Sequence, residues 1–242
     1  MQIPVKIDPC PIVEASIGIS FEPKVIPDAV FGIVYNAIKD KYPNAAALPI
    51  LQLPEEIRNK DSNLINQPHY TVSNDTFKVL IGPRVLTLSV SKEYVGWKVL
   101  LPEIIDLFNK IAKLDIIAQV HRLGLRYINV FDFDIFEKVK LKINVGDTPL
   151  ISNNAFVRAE IAGNNFVNTL QIGNNASGIV GNNPFKGSII DIDTFTTHGL
   201  DNFFSNSSDL VLKGHEEEKK TFYNLLTPEF LKTLNPTYAG EK

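Results

Sequence analysis

A single cysteine in 242 residues, Cys10, excludes an internal disulfide and any thiolate zinc site. It lies between Pro9 and Pro11 and reads as a packed or incidental thiol rather than a nucleophile. No apolar run approaches the roughly 18 residues that a membrane helix requires. The opening Met-Gln-Ile-Pro-Val-Lys-Ile-Asp has neither the charged start nor the apolar core of a secretory signal. The expectation is a soluble, cytoplasmic chain without a membrane partner, in which Asn-x-Ser/Thr triplets such as that at Asn206 carry no glycosylation meaning. The usual catalytic signatures are missing too. There is no Gly-x-x-x-x-Gly-Lys-Ser/Thr loop, no Gly-x-Gly-x-x-Gly after a strand, no Gly-x-Ser-x-Gly elbow and no His-Glu-x-x-His. The four histidines (His69, His121, His198 and His215) are widely separated and read as surface or packing residues. Basic excess is also lacking: a net charge of −3 argues against a uniform grip on nucleic acid and leaves room only for a local basic groove.

What is present is enough apolar material for a full core, at 44% of residues, with too little charge for general disorder. Residues 12–21 alternate, with Val13, Ala15, Ile17, Ile19 and Phe21 on one side, which predicts a half-buried strand. Pro27 and Asp28 open a helix whose stripe is Val30, Phe31, Val34, Ile38 and Tyr42, and Pro43 stops it. Residues 43–66 show no sustained period and read as a long connection with one short helical turn. Strands follow near 69–73, 76–82 and 85–91. A helix over 92–114 carries Trp97, Leu101, Ile104, Ile105, Phe108 and Ile111 and is disturbed by Pro102.

A long strand is predicted over 116–134 and a helical turn within 134–142. Beyond it, Gly163-Asn164-Asn165, Gly173-Asn174-Asn175 and Gly181-Asn182-Asn183 recur as turn signals. Strands at 156–162, 166–172 and 187–196 fit around them, with Phe156, Phe166, Leu170, Ile189 and Phe195 as their core. A closing helix is read over 215–226, with Glu216, Glu217 and Glu218 in its first turn. Grouped strands and helices predict an α+β fold: antiparallel meanders with helices packed on one face. The chain reads as a single domain, 1–242, with two similar sub-halves, 1–115 and 116–238.

Charge inside the predicted strands supplies the candidate site. Arg122 and Arg126 share a face with Gly124, Arg158 shares one with Glu160, and Asp191 shares one with Asp193, while Glu14 faces away from the apolar side of its strand. Meeting on one side of a curved sheet, these residues would form a mixed groove. Its arginines Arg122, Arg126 and Arg158, with Glu160 beside them, would bind phosphate bidentately, and Glu14, Asp191 and Asp193 would place a divalent metal such as Mg. The bland reading is ion pairing across neighbouring solvent-facing strands. Arg126 beside Tyr127, and Phe156 beside Arg158, also suit stacking and phosphate contact with RNA, although core packing would use the same aromatics.

Three segments carry a resemblance. Pro11-Ile12-Val13-Glu14-Ala15, Tyr94-Val95-Gly96-Trp97 and Gly124-Leu125-Arg126-Tyr127-Ile128-Asn129 together resemble a sporadically distributed family of uncharacterised bacterial and archaeal proteins of similar length. The resemblance covers nearly the whole chain, and the His215-Glu216 helix with Phe222 fits its close. It marks Glu14, Trp97, Arg126 and Asn129. Its patchy distribution implies mobile genes of the defence or toxin–antitoxin kind. The expectation is a non-catalytic recognition protein without a cofactor, acting on a protein partner in such a system. The alternative is a metal-dependent enzyme or sensor of a nucleotide or other phosphorylated ligand, and RNA binding is a third reading. Oligomeric state is left open.

Overall fold

A computed structural model describes residues 2–149, 154–180 and 183–240. Its long strands are β1 (Ile12–Pro23), β6 (Ile117–Phe131), β9 (Phe156–Ala162), β10 (Val167–Val180) and β11 (Asn183–Thr196). Shorter strands are β2 (Asn44–Ala47), β3 (Tyr70–Ser73), β4 (Phe77–Ile81) and β5 (Val85–Val90), with a small hairpin of β7 (Asn144–Val145) and β8 (Thr148–Pro149). The helices are α1 (Ala29–Ile38), α2 (Glu55–Lys60), α3 (Trp97–Ala112), α4 (Phe203–Leu225) and α5 (Pro228–Thr233). Nine strands form an open antiparallel sheet in the order β2-β3-β4-β5-β1-β6-β11-β10-β9, so the expected α+β class holds. Outward from its two central strands the order repeats: β1 is flanked by β5 and then β4, and β6 by β11 and then β10. Each half therefore opens with a long strand, returns a meander beside it and closes on a long helix.

The chain partitions into two compact units, one of Met1–Val13, Arg126–Thr194 and Gly214–Lys242, the other of Glu14–Leu125 and Phe195–Lys213. In the second unit, the register stacks Ile17 beside Leu88, Val79 and Val72, and Ile19 beside Leu86 and Ile81, all fully buried. The same register puts Ser16 beside Ser89 and Gly18 beside Thr87 on the opposite side. Helix α1 buries Val30, Val34 and Ile38 as expected, while Phe31 lies half-buried against the Tyr70 ring at 3.8 Å. Lys41 bridges Glu103 at 2.8 Å and Asp106 at 2.9 Å, and the buried Tyr42 hydroxyl donates to Glu103, tying the end of α1 to α3. The expected stripe of α3 is rotated: Leu100, Ile104, Leu107, Phe108 and Ile111 are buried, whereas Trp97, Leu101 and Ile105 are only half-buried. The helix begins at Trp97 and runs through Pro102. Residues 43–66, expected as a connection, contain strand β2, a 3-10 turn at Pro49–Gln52 and helix α2. Four exposed residues, Asn-Ala-Ala-Ala, have no alternation to betray a strand, and pairing with β3 alone makes them one.

In the first unit, Leu170 and Ile172 of β10, Ile190 and Ile192 of β11 and Phe131 of β6 pack with Phe222 and Leu226 of α4 and Phe230 and Leu231 of α5. Thr227 caps α5, its hydroxyl accepting from Phe230 N at 3.2 Å, with Pro228 at the first helical position. Two expectations fail here. Phe156 is 65% exposed rather than core, and Gly173-Asn174-Asn175 lies inside β10 rather than in a turn. Asn175 takes a positive φ of 54° within the strand, so the local tolerance was real although the chain does not reverse there. Gly163-Asn164-Asn165 does join β9 to β10, while Gly181 and Asn182 lie outside the described residues.

The closing helix starts at Phe203, not His215. Ser and Asn are weak helix formers, but Phe203 and Val211 are buried, and Phe203 meets Phe108 edge-on at 5.1 Å, so packing overrides propensity. Glu218 is consequently mid-helix and buried, not in a solvated first turn.

The core assignment predicts that I190A and I192A each destabilise the fold by about 2–5 kcal/mol in urea unfolding. F156A should change stability by no more than about 0.5 kcal/mol, since exposed positions rarely matter more.

Candidate functional site

Pleating assigns the side chains of β6, β9, β10 and β11 to two faces. The face opposite the apolar core carries Arg126, Asp191, Gln171, Arg158 and Glu160, all in the first unit. Asp191 sits between Ile190 and Ile192, both fully buried, and its carboxylate is only 6% exposed. Such a carboxylate requires partners. Arg126 supplies two, donating from Nε to Oδ1 at 2.8 Å and from Nη2 to Oδ2 at 2.6 Å. Gln171 Nε2 donates to Oδ2 at 3.1 Å. On β9, Arg158 is in register with Gln171, Glu160 is in register with Thr169, and the two charges bridge each other at 3.1 Å. The expected polar face therefore exists in this unit, and its arginines Arg126 and Arg158 already hold carboxylates.

In the second unit, Arg122 folds over Gly124, where a β-carbon would collide with its guanidinium, and rests 4.5 Å from the Phe195 ring centre as a cation–π pair. Glu14 is half-buried on the polar face of β1, and Asp193 is half-buried on the face of β11 that carries Asp191. Among the described residues, no group of three or more His, Cys, Asp or Glu side chains is close enough to hold a metal. Asn129 is buried and donates from Nδ2 to the Ile190 carbonyl at 3.3 Å, satisfying backbone inside the sheet. Cys10 is exposed, and partial desolvation raises its thiol above the usual range, the reverse of nucleophile activation.

The sequence gave no warning of a cleft of about 410 Å3 where β6 leaves the sheet. Asp132, Phe133, Asp134, Asn174, Asn175, Lys186, Gly187 and Ser188 line it. Its walls are held by hydrogen bonds. Ser188 Oγ donates to Phe133 O at 2.6 Å and accepts from Ile135 N at 3.0 Å, and Asn174 Nδ2 donates to Asp134 at 2.7 Å. Asp134 also accepts from Phe136 N at 2.9 Å, opening the short 3-10 turn that follows. Gly187 packs where a β-carbon would collide with the Phe131 carbonyl, so the two backbones can approach there. Phe133 is 40% exposed and meets Phe230 nearly edge-on at 5.6 Å. Asp132 and Lys186 are exposed and form no ion pair among the described residues. The cleft thus offers an anchored aromatic flanked by unengaged charges of both signs.

Sequence reasoning also missed a buried polar cluster on α4. The Tyr127 hydroxyl lies 3.2 Å from His215 Nδ1. Burial, with the Lys219 charge second, pushes His215 down to about 3. Burial pushes the Glu218 carboxyl up to about 8, against the lowering effect of Lys219. Both side chains are therefore neutral over most of the mildly acidic range.

No family model matches the chain, and no curated protein matches it.

These two shifts predict a pH profile. The raised Glu218 contributes stability that is full below about pH 4.5 and is lost as the pH climbs towards 8. The depressed His215 contributes stability that is full above about pH 6.5 and is lost as the pH falls towards 3. Between pH 4.5 and 6.5 the two slopes, each about 1.4 kcal/mol per pH unit, oppose one another. Urea midpoints should be flat there and decline on both sides. E218Q should abolish the decline above pH 6.5, and an alkaline limb unchanged by that substitution would refute the burial of an ionisable acid.

Proposed function

We propose that the chain is a non-catalytic recognition protein that binds a protein partner through the cleft beside Phe133. The observation that carries this reading is the exposed, edge-packed Phe133 between Asp132 and Asp134, with Lys186 across the opening. Interface centres favour aromatic anchors whose position is fixed before binding, with charges at the rim that select the partner. Phe133 has that support from Phe131 and Phe230, and Asp132 and Lys186 supply rim charges. The resemblance to a patchily distributed bacterial and archaeal family supports placing this recognition in a defence or toxin-control system.

The alternative, a phosphorylated ligand held by an arginine groove, is disfavoured by the occupancy of the arginines. A phosphate at Arg126 would have to displace or adjoin the Asp191 carboxylate, which would then lose its bidentate partner in a nearly buried position. The same argument weighs against a cation at Asp191, whose oxygens already accept from Arg126 and Gln171. RNA contact at Arg126 and Arg158 would meet the same competition.

Two measurements test the proposal. Affinity capture from the native host should recover a stoichiometric protein, and F133A, D132K and K186E should each release it without lowering the melting temperature. Repeated recovery of the chain alone would refute the reading. A thermal-shift screen with nucleotides and Mg2+ separates the readings further. A ligand at a hundred times its Kd stabilises by about 2.7 kcal/mol, or roughly 5–10 °C for a chain of this size. No such shift is expected.

A further inference from the structure

Strand β9 ends the sheet, and from Phe156 to Ala162 every residue except the half-buried Val157 is exposed. Its pairing with β10 fixes which main-chain groups face outward. Gly163 N donates to Phe166 O at 2.8 Å at one end, and Asn174 N donates to Ala155 O at 3.2 Å at the other. The register runs unbroken between these points, so the odd-numbered residues of β9 exchange hydrogen bonds with β10. The N–H and C=O groups of Phe156, Arg158, Glu160 and Ala162 consequently point to the open side. The devices that blunt natural edges are missing from this strand: it has no proline, no lysine and no bulge. Its two charges, Arg158 and Glu160, are of opposite sign and bridge each other.

We propose that this edge pairs with the same edge of a second copy, antiparallel about a two-fold axis at Ala159, so that the sheet continues across a homodimer. The sequence selects that axis. Outward donors and acceptors occur only at even positions, so a self-pairing in which they meet must be centred on a residue and not between two. A centre at Arg158 or Glu160 sets that residue against its own copy, like charge on like charge. Centres at Val157 or Ile161 set neither charge against its complement and shorten the pairing. The centre at Ala159 sets Arg158 opposite Glu160 of the second copy twice over, in the positions that exchange main-chain hydrogen bonds. It also sets Val157 opposite Ile161 and Phe156 opposite Ala162. The intrastrand bridge of 3.1 Å then becomes part of a neutral ring of four alternating charges, and Phe156, the most exposed aromatic side chain of the unit, gains a neighbour strand. An edge pairing alone buries less than the roughly 800 Å2 per partner of a standard interface, so association should depend on concentration. This inference concerns a surface distinct from the Phe133 cleft and stands whether or not that cleft binds a partner.

Sedimentation velocity on the full chain over a wide concentration range provides the test, with R158E, E160R, the double exchange R158E/E160R and an equimolar mixture of the two single variants. The unaltered chain should dimerise. Each single variant alone should dissociate about tenfold more readily or worse, because like charges then face each other at both paired sites. The double exchange should recover the dimer, and the mixture should form a heterodimer although neither component self-associates. Recovery in the mixture cannot arise from misfolded single variants, which keeps the outcome decisive. A chain that stays monomeric at every concentration would overturn the proposal. So would a dimer indifferent to both single variants, or a loss that neither the double exchange nor the mixture restores.

Discussion

The alternation of side chains across β6, β10 and β11 is the constraint on which the first unit depends. Ile190 and Ile192 must reach the core with Leu170 and Ile172, and that alone forces Asp191 onto the opposite face in a nearly buried position. A one-residue slip would exchange the two sets and bury a carboxylate among isoleucines. The bidentate Arg126 and the amide of Gln171 make the correct register tolerable by engaging both carboxylate oxygens. Apolar burial and ionic pairing therefore specify the same register from opposite faces of one layer.

That arrangement bears directly on function. An arginine that already completes a buried carboxylate is a poor starting point for a phosphate site, because a ligand must compete with a partner fixed by the fold. The groups with chemistry left to offer lie elsewhere. At the end of β6, Asp132 and Lys186 flank Phe133 in an open cleft whose walls are held by Ser188 and Asn174. On β9, charges of both signs stand on an open edge. Both features suit contact with other polypeptide chains better than chemistry on a small molecule.

Much of the fold was legible because its signals are local. Strand alternation at 12–21 and 116–134 survives as β1 and β6, and the meander 69–91 resolves into β3, β4 and β5 within two residues of the expected ends. What escaped depends on partners distant in sequence. Strand β2 exists only through β3, and the first half of α4 forms on residues of poor helical propensity because Phe203 and Val211 are buried. Glu218 looked like a solvated helix start, since nothing local reveals that the helix begins well before it. The polar face of Arg126, Arg158, Glu160 and Asp191 was readable from even spacing, whereas which arginine meets which acid was not. The cleft left no signal at all, for its walls join residues more than fifty positions apart through single hydroxyl hydrogen bonds.

The account stands or falls on Arg126 being a structural partner of Asp191 and not a ligand-binding group. A double-mutant cycle on R126Q and D191N, read by urea unfolding, measures this directly. Bidentate pairing of a buried carboxylate with a half-exposed guanidinium predicts a coupling of about 1–2 kcal/mol in favour of the native pair. A coupling indistinguishable from zero, with R126Q as stable as the unaltered chain, would contradict it.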